Sequence, residues 1–172
     1  DTGESVALRS GEIVPCQITG CSKGTAGSPG ELKGRFLSAH AIGTIRINGE
    51  NGVYGSTRAQ FAGQKMEVAF AQEVEAGDAE IWTTTSGETP RAYRVKIEKI
   101  SDADPRRNMV LRVVDRELLA QTGGIVQGMS GSPIVQNGRL VGAVTHVLVN
   151  DPTRGYGIFA QTMLEQAERV TE

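Results

Sequence analysis

Alternation of apolar and polar side chains is cleanest over residues 91–100, "RAYRVKIEKI". There Tyr93, Val95 and Ile97 hold every second position and Ile100 slips out of phase. A period of two predicts a strand with one face buried. Shorter β-like runs cover 5–22, 35–49, 64–74 ("QKMEVAFAQEV"), 79–88 and 108–115. The 79–88 and 91–100 runs read as a hairpin around Ser86–Gly87, and "GENGVYG" (49–55) reads as a turn. The cluster "KGTAGSPGELKG" (23–34), with Gly24, Gly27, Pro29 and Gly30, reads as a loop. Residues 131–149 predict a second hairpin, with Asn137–Gly138 as its two-residue turn. Two short stretches break the pattern. "RELLAQTGG" (116–124) predicts a helix that Asp115 can cap and Gly123 can end. "GIFAQTMLEQAERVTE" (157–172) places Ile158, Met163, Leu164, Ala167 and Val170 on one helical face. Many short strands and a C-terminal helix predict an all-β fold, barrel or sandwich.

Composition narrows the chemistry. The 172 residues read as one domain, long enough to bury a core. With 38% apolar but only 5% aromatic residues, that core is mainly aliphatic. A net charge of −2 leaves no basic face for nucleic acid. No run reaches the roughly 18 apolar residues of a membrane span, and no signal peptide is visible. No cofactor motif is expected. Cys16 and Cys21 stand in C-x4-C spacing, which allows a small disulfide loop in an oxidising compartment or two free thiols. No second Cys/His pair lies nearby to complete a zinc site.

The stretch "GGIVQGMSGSPIVQNGRLVGAVTH" (123–146) carries the chemistry. A serine hydroxyl needs a base to take its proton and donors to hold the developing oxyanion. Gly128 lets the chain turn so that the amides of Gly128 and Ser130 aim at one spot. Gly131 leaves room for a substrate carbonyl, and Pro133 starts the next strand. The competing reading of these residues is a plain Gly/Ser turn between strands.

The segment "GMSGSPIVQNGRLVGAVTHV" resembles the G-D-S-G-G-P-L … G-x-L-V-G stretch of chymotrypsin-like serine proteases. There the glycine-flanked serine is the nucleophile and the strand after the hairpin pairs with substrate backbone. The resemblance implies substrate contacts at Thr145, His146 and Val147. The longer run "TGGIVQGMSGSPIVQNGRLVGAVTHVLVNDPTRGYGI", with "KGTAGSPGE" at 23–31 and "NMVLRVVDRELLAQTGG" at 108–124, is similar to the peptidase domain of the stage IV sporulation protein B family.

That resemblance implies an all-β, chymotrypsin-like double β-barrel with a C-terminal helix, and a serine endopeptidase spanning residues 1–172. It also implies a membrane anchor, a PDZ domain and a His–Asp–Ser set. Ser130 matches the nucleophile, and Asp115, fifteen positions earlier, matches the aspartate. The family's histidine lies in a G-H-x-I motif just ahead of a segment like "DTGESVALRSGEIV", so it is expected upstream of residue 1. His40 is expected to be a rim residue. His146 is expected to share a face with Val144 and Leu148 and to wall the pocket. Ser132 ranks below Ser130 as nucleophile. The implied substrates are a membrane-bound sporulation regulator and the protein itself, in the space between mother cell and forespore. Two other readings compete: a peptidase-like binding module without a working base, and a structural β domain with a redox thiol pair.

Overall fold

The structure is a computed structural model that describes residues 10–60, 63 and 65–171, with side chains through Arg169. Eleven strands and two helices follow one another: β1 (Gly11–Ile13), β2 (Cys16–Ser22), β3 (Glu31–Phe36), β4 (Gly43–Gly49), β5 (Gly52–Thr57), β6 (Gly77–Thr83), β7 (Arg91–Ile100), β8 (Met109–Val113), α1 (Arg116–Thr122), β9 (Pro133–Gln136), β10 (Arg139–Val147), β11 (Arg154–Phe159) and α2 (Ala160–Thr171). The last six strands close into an antiparallel barrel in the order β10-β11-β8-β7-β6-β9. The first five form a three-stranded sheet, β1-β4-β5, and a two-stranded ribbon, β2-β3. The chain is therefore all-β with a closed barrel and a C-terminal helix, as expected.

The barrel closes because its strands bury alternate side chains. On β7, Tyr93, Val95 and Ile97 point inward, meeting Ile81 of β6 and Leu111 of β8. Each such side chain contributes roughly 1.5–3 kcal/mol on burial. The slip at Ile100 has a cause: the β7–β8 register shifts between Ile97 and Lys99, and one extra residue reverses the facing of the positions beyond it. The β9–β10 connection is the anticipated two-residue turn, with Asn137 at φ 52° and Gly138 at φ 75°. That left-handed pair matches the twist of the strands it joins.

Several elements differ from the sequence reading. Of the run expected over 64–74, residue 64 lies outside the described residues and 65–74 form no strand. Val68 makes one parallel bridge to Leu140, and the chain then turns through a 3-10 turn at Ala71–Glu73. The Glu73 carboxylate accepts the Phe70 N–H at 2.8 Å, so a local cap overrides the alternation. The loop at 23–34 is shorter than expected, since Glu31 already pairs with Ser22. The terminal helix starts at Ala160. Ile158 lies on β11, buried in the barrel, and Leu164 faces solvent at 47% exposure.

Candidate functional site

Helix α1 delivers the chain to the serine. Asp115 caps its start and Gly123, at φ 78°, ends it. Residues 124–132 then cross to β9. Ile125 and Val126 are buried, Met129 is wholly buried, and Ser130 is exposed. Met129 thus pins a turn whose flanks face solvent. Two backbone bonds fasten it to β10, Gly131 N–H donating to the Val144 carbonyl at 2.8 Å and Val144 N–H to the Ser132 carbonyl at 2.9 Å, and Ser132 N–H closes the turn on the Met129 carbonyl at 3.0 Å. Gly128 sits at φ 95°, a conformation that glycine adopts freely and L side chains avoid. The N–H groups of Gly128 and Ser130 donate to no acceptor among the described residues. Two unspent amides beside an exposed hydroxyl are the donor set an oxyanion requires.

The Ser130 hydroxyl donates to the Thr145 carbonyl at 2.6 Å. Strand β10 is bulged here: its register against β11 shifts between Val144 and Val147. The bulge interrupts the alternation that was expected to put His146 on the face of Val144 and Leu148. Val144 is in the core, whereas Thr145 and His146 are half-buried and border the same cavities as Ser130. Bulges re-aim side chains in this way next to active sites. The Thr145 Oγ1 and His146 Nδ1 atoms are both buried without a hydrogen-bond partner. Burial, then the positive charges of Arg107 and Arg106, hold the His146 imidazolium pKa below its ordinary value, with Asp104 opposing.

Two cavities meet at Ser130. One, of about 140 Å³, is lined by Pro29, Ile125, Val126, Val147 and Val149, with Thr145 and His146 at its edge. The other, of about 340 Å³, lies under the β4–β5 hairpin tip, Asn48–Val53. An ion pair at 3.3 Å between Glu50 and Arg106 ties that tip to the loop after β7. The apolar wall of Ile125, Val126 and Val149 went unremarked in the sequence. The pair "IV" just ahead of Gly128 was the available signal; Val149 and Pro29 had none, because they arrive from distant segments.

Asp115, His40, Ser132 and the two cysteines do not line the cavities at Ser130. The Asp115 carboxylate, 16% exposed, is spent on backbone. Its Oδ1 accepts the N–H of Glu117 at 2.9 Å and of Leu118 at 3.2 Å, and its Oδ2 accepts the N–H of Arg94 at 3.3 Å. Burial opposes its ionisation, but the amides of Leu118, Arg94 and Glu117, then the Arg94 charge, outweigh burial and hold the carboxyl pKa down. Asp115 borders neither cavity at Ser130. His40 sits on an exposed loop, its Nδ1 3.2 Å from the Ser38 hydroxyl. Ser132 lines a different depression from Ser130. The Cys16–Cys21 disulfide is not formed. Both thiols are free, at opposite ends of β2, and five residues of strand span roughly 16 Å, far beyond disulfide reach.

Among the described residues there is no cluster of His, Cys, Asp or Glu able to hold a metal. The sequence profile of the SpoIVB peptidase S55 family matches residues 1–164. No curated protein matches significantly. Among solved structures, the chain is similar to the Rv3671c protease in its inactive form, at 14% identity and TM-score 0.49, over 91% of this chain and 88% of that one. It is also similar to the active form of Rv3671c from M. tuberculosis, at 16% identity and TM-score 0.49, over 92% and 81%.

Proposed function

The chain belongs to the SpoIVB peptidase S55 family and is a serine peptidase, and from that premise we propose that Ser130 is its nucleophile. The supporting observation is an exposed hydroxyl at the mouth of two cavities, with the unspent amides of Gly128 and Ser130 beside it. In this reading Ser130 Oγ attacks a peptide carbonyl, the two amides hold the oxyanion, and the Thr145–Val147 segment carries the substrate backbone. The 140 Å³ apolar cavity receives the side chain on the acyl side of the cut. A cavity near 150 Å³ accommodates a benzene ring, so branched aliphatic or phenyl side chains fit against Ile125, Val126 and Val149.

The base is the family's histidine, supplied from ahead of residue 1. His146 Nδ1 is enclosed without a partner and His40 is bonded on its loop, which supports an imidazole from elsewhere. Asp115 enters as a positioning residue: by capping α1 it sets the segment that presents the two amides. The substrates are a membrane-associated sporulation regulator and the protein itself, met between the mother-cell and forespore membranes; a PDZ domain in the intact protein completes the assembly.

A fluorophosphonate probe tests the nucleophile, because it labels only an activated serine. Full-length protein should be labelled at Ser130, and Ser130→Ala should lose the label. Absence of labelling in the full-length protein would favour the second reading, a peptidase-like binding module. That alternative draws its support from the Ser130 proton resting on a carbonyl rather than on an imidazole.

A further inference from the structure

A depression of about 260 Å³ opens on the opposite flank of the nucleophile turn. Gly128, Gly131 and Ser132 line it, so it reaches the turn on both sides of Ser130. One wall is the β6–β7 hairpin, bearing Trp82 and Glu88; another is β2, with Ile18. The walls are locked by backbone. Ile18 N–H donates to the Gly87 carbonyl at 2.8 Å, and Gly87 N–H returns to the Ile18 carbonyl at 2.9 Å.

Two side chains give this groove its character. Trp82 is the one tryptophan among the 172 residues. It stands 40% exposed on β6 between Ile81 and Thr83, which are buried. Glu88 is exposed, and no ion pair or hydrogen bond reaches its carboxylate among the described residues. It is also the only acidic or basic side chain among the described residues of the lining. An indole face and an unpaired carboxylate in one concavity form a recognition set for a cation.

We infer that this groove binds the residues on the leaving-group side of the scissile bond and selects lysine or arginine there. The inference rests on Ser130 as nucleophile. An extended peptide whose acyl side lies on the Thr145–Val147 segment crosses Ser130 and leaves over Gly128 and Gly131, into this groove. A cation there meets Glu88 without full desolvation and lies against the indole; a carboxylate meets like charge. Exposed ion pairs contribute up to about fivefold in affinity, and an exposed cation–π contact contributes about two- to fivefold.

Internally quenched peptides that differ only in the two residues after the cut, as Lys, Met or Glu, test this in full-length protein. The expected order of kcat/KM is Lys, Met, Glu, spanning about tenfold, and Glu88→Gln should reduce the span to about two- to fivefold, the part the indole supplies. Equal rates in a wild-type enzyme that cleaves would overturn the inference and leave the peptidase reading standing. Cleavage undiminished by Ser130→Ala would instead overturn Ser130 as the nucleophile. A second measurement needs no turnover. Lysine-led product peptides titrated into Ser130→Ala should change the fluorescence of Trp82 saturably, and about fivefold more weakly in Ser130→Ala/Glu88→Gln. An unchanged spectrum, or equal affinity for glutamate-led peptides, would overturn the groove assignment.

Discussion

Replacing Asp115 with asparagine and with alanine separates a capping carboxylate from one that orients an imidazole. The carboxylate accepts three backbone N–H groups, two at the start of α1 and one from Arg94 on β7. Alanine removes all three acceptors. Loss of a helix N-cap costs about 0.5–2 kcal/mol, and the orphaned Arg94 amide adds about 1 kcal/mol, so Asp115→Ala should lose about 1.5–3 kcal/mol. For a chain of this size that lowers Tm by roughly 3–12 °C. Asparagine keeps an oxygen for the Glu117 and Leu118 amides and should cost about 1 kcal/mol. The sign with pH is set by the lowered carboxyl pKa. The stabilisation is complete above the unfolded aspartate value of about 3.9 and is lost as pH falls through the folded value, so wild type and Asp115→Ala should converge in acid. Thermal melts and the rate of Ser130 labelling, read well below Tm, are the assays. For a cap, Asp115→Asn should label within about threefold of wild type. In a protease triad the same amide substitution at the orienting aspartate costs about 10⁴. A loss of that size with a near-normal melt would refute the reading of Asp115 as a cap alone and give it the orienting role as well.

Gly128→Ala would place a side chain at φ 95° with its Cβ 3.1 Å from the Leu32 Cβ; it should cost about 1–3 kcal/mol and slow Ser130 labelling by about 100-fold through displacement of an oxyanion amide. Unchanged labelling would remove Gly128 from the oxyanion site. Because the folded pKa of His146 is lowered, its contribution to stability is full above the unfolded value of about 6.5 and is lost as pH falls through the folded value. Urea unfolding at pH 7.5 and pH 5 should show the decline in wild type and a smaller one in His146→Gln. Alkylation of unfolded protein without reductant should add two adducts, one each at Cys16 and Cys21; a mass two daltons low with no adduct would contradict the free thiols.

Local signals were legible wherever chemistry and conformation coincide within a few residues. Asp115 and Gly123 bracket α1 as their side-chain chemistry requires, and Asn137–Gly138 makes the turn its dihedrals favour. Even the phase slip at Ile100 was visible before the bulge that explains it. What failed depends on partners distant in sequence. The alternation at 64–74 suggests a strand, but the described chain there finds only the single bridge at Leu140 and turns away under the Glu73 cap. C-x4-C spacing allows a disulfide until β2 pairs with β3 and draws the thiols apart. The serine and its glycines stood out in the sequence, whereas the cavity walls from Pro29 and Val149 and the groove at Trp82 and Glu88 exist only once the β2–β3 ribbon and the β6–β7 hairpin dock beside the turn.

Ring closure of β6 through β11 has a colloidal consequence. A sheet that returns on itself offers no row of open amides and carbonyls for a neighbouring molecule to extend. The small sheets of the first half are open: the outer sides of β1 and β5 offer such rows among the described residues, and the β2–β3 ribbon is covered at Ile18, bonded to Gly87, and at Leu32, bonded to Gln127. They also present Ile13, Phe36 and Val53 to solvent. Self-association in concentrated solutions should therefore begin there, and a lysine at Phe36 or Val53 should raise the solubility limit without touching the half that carries Ser130.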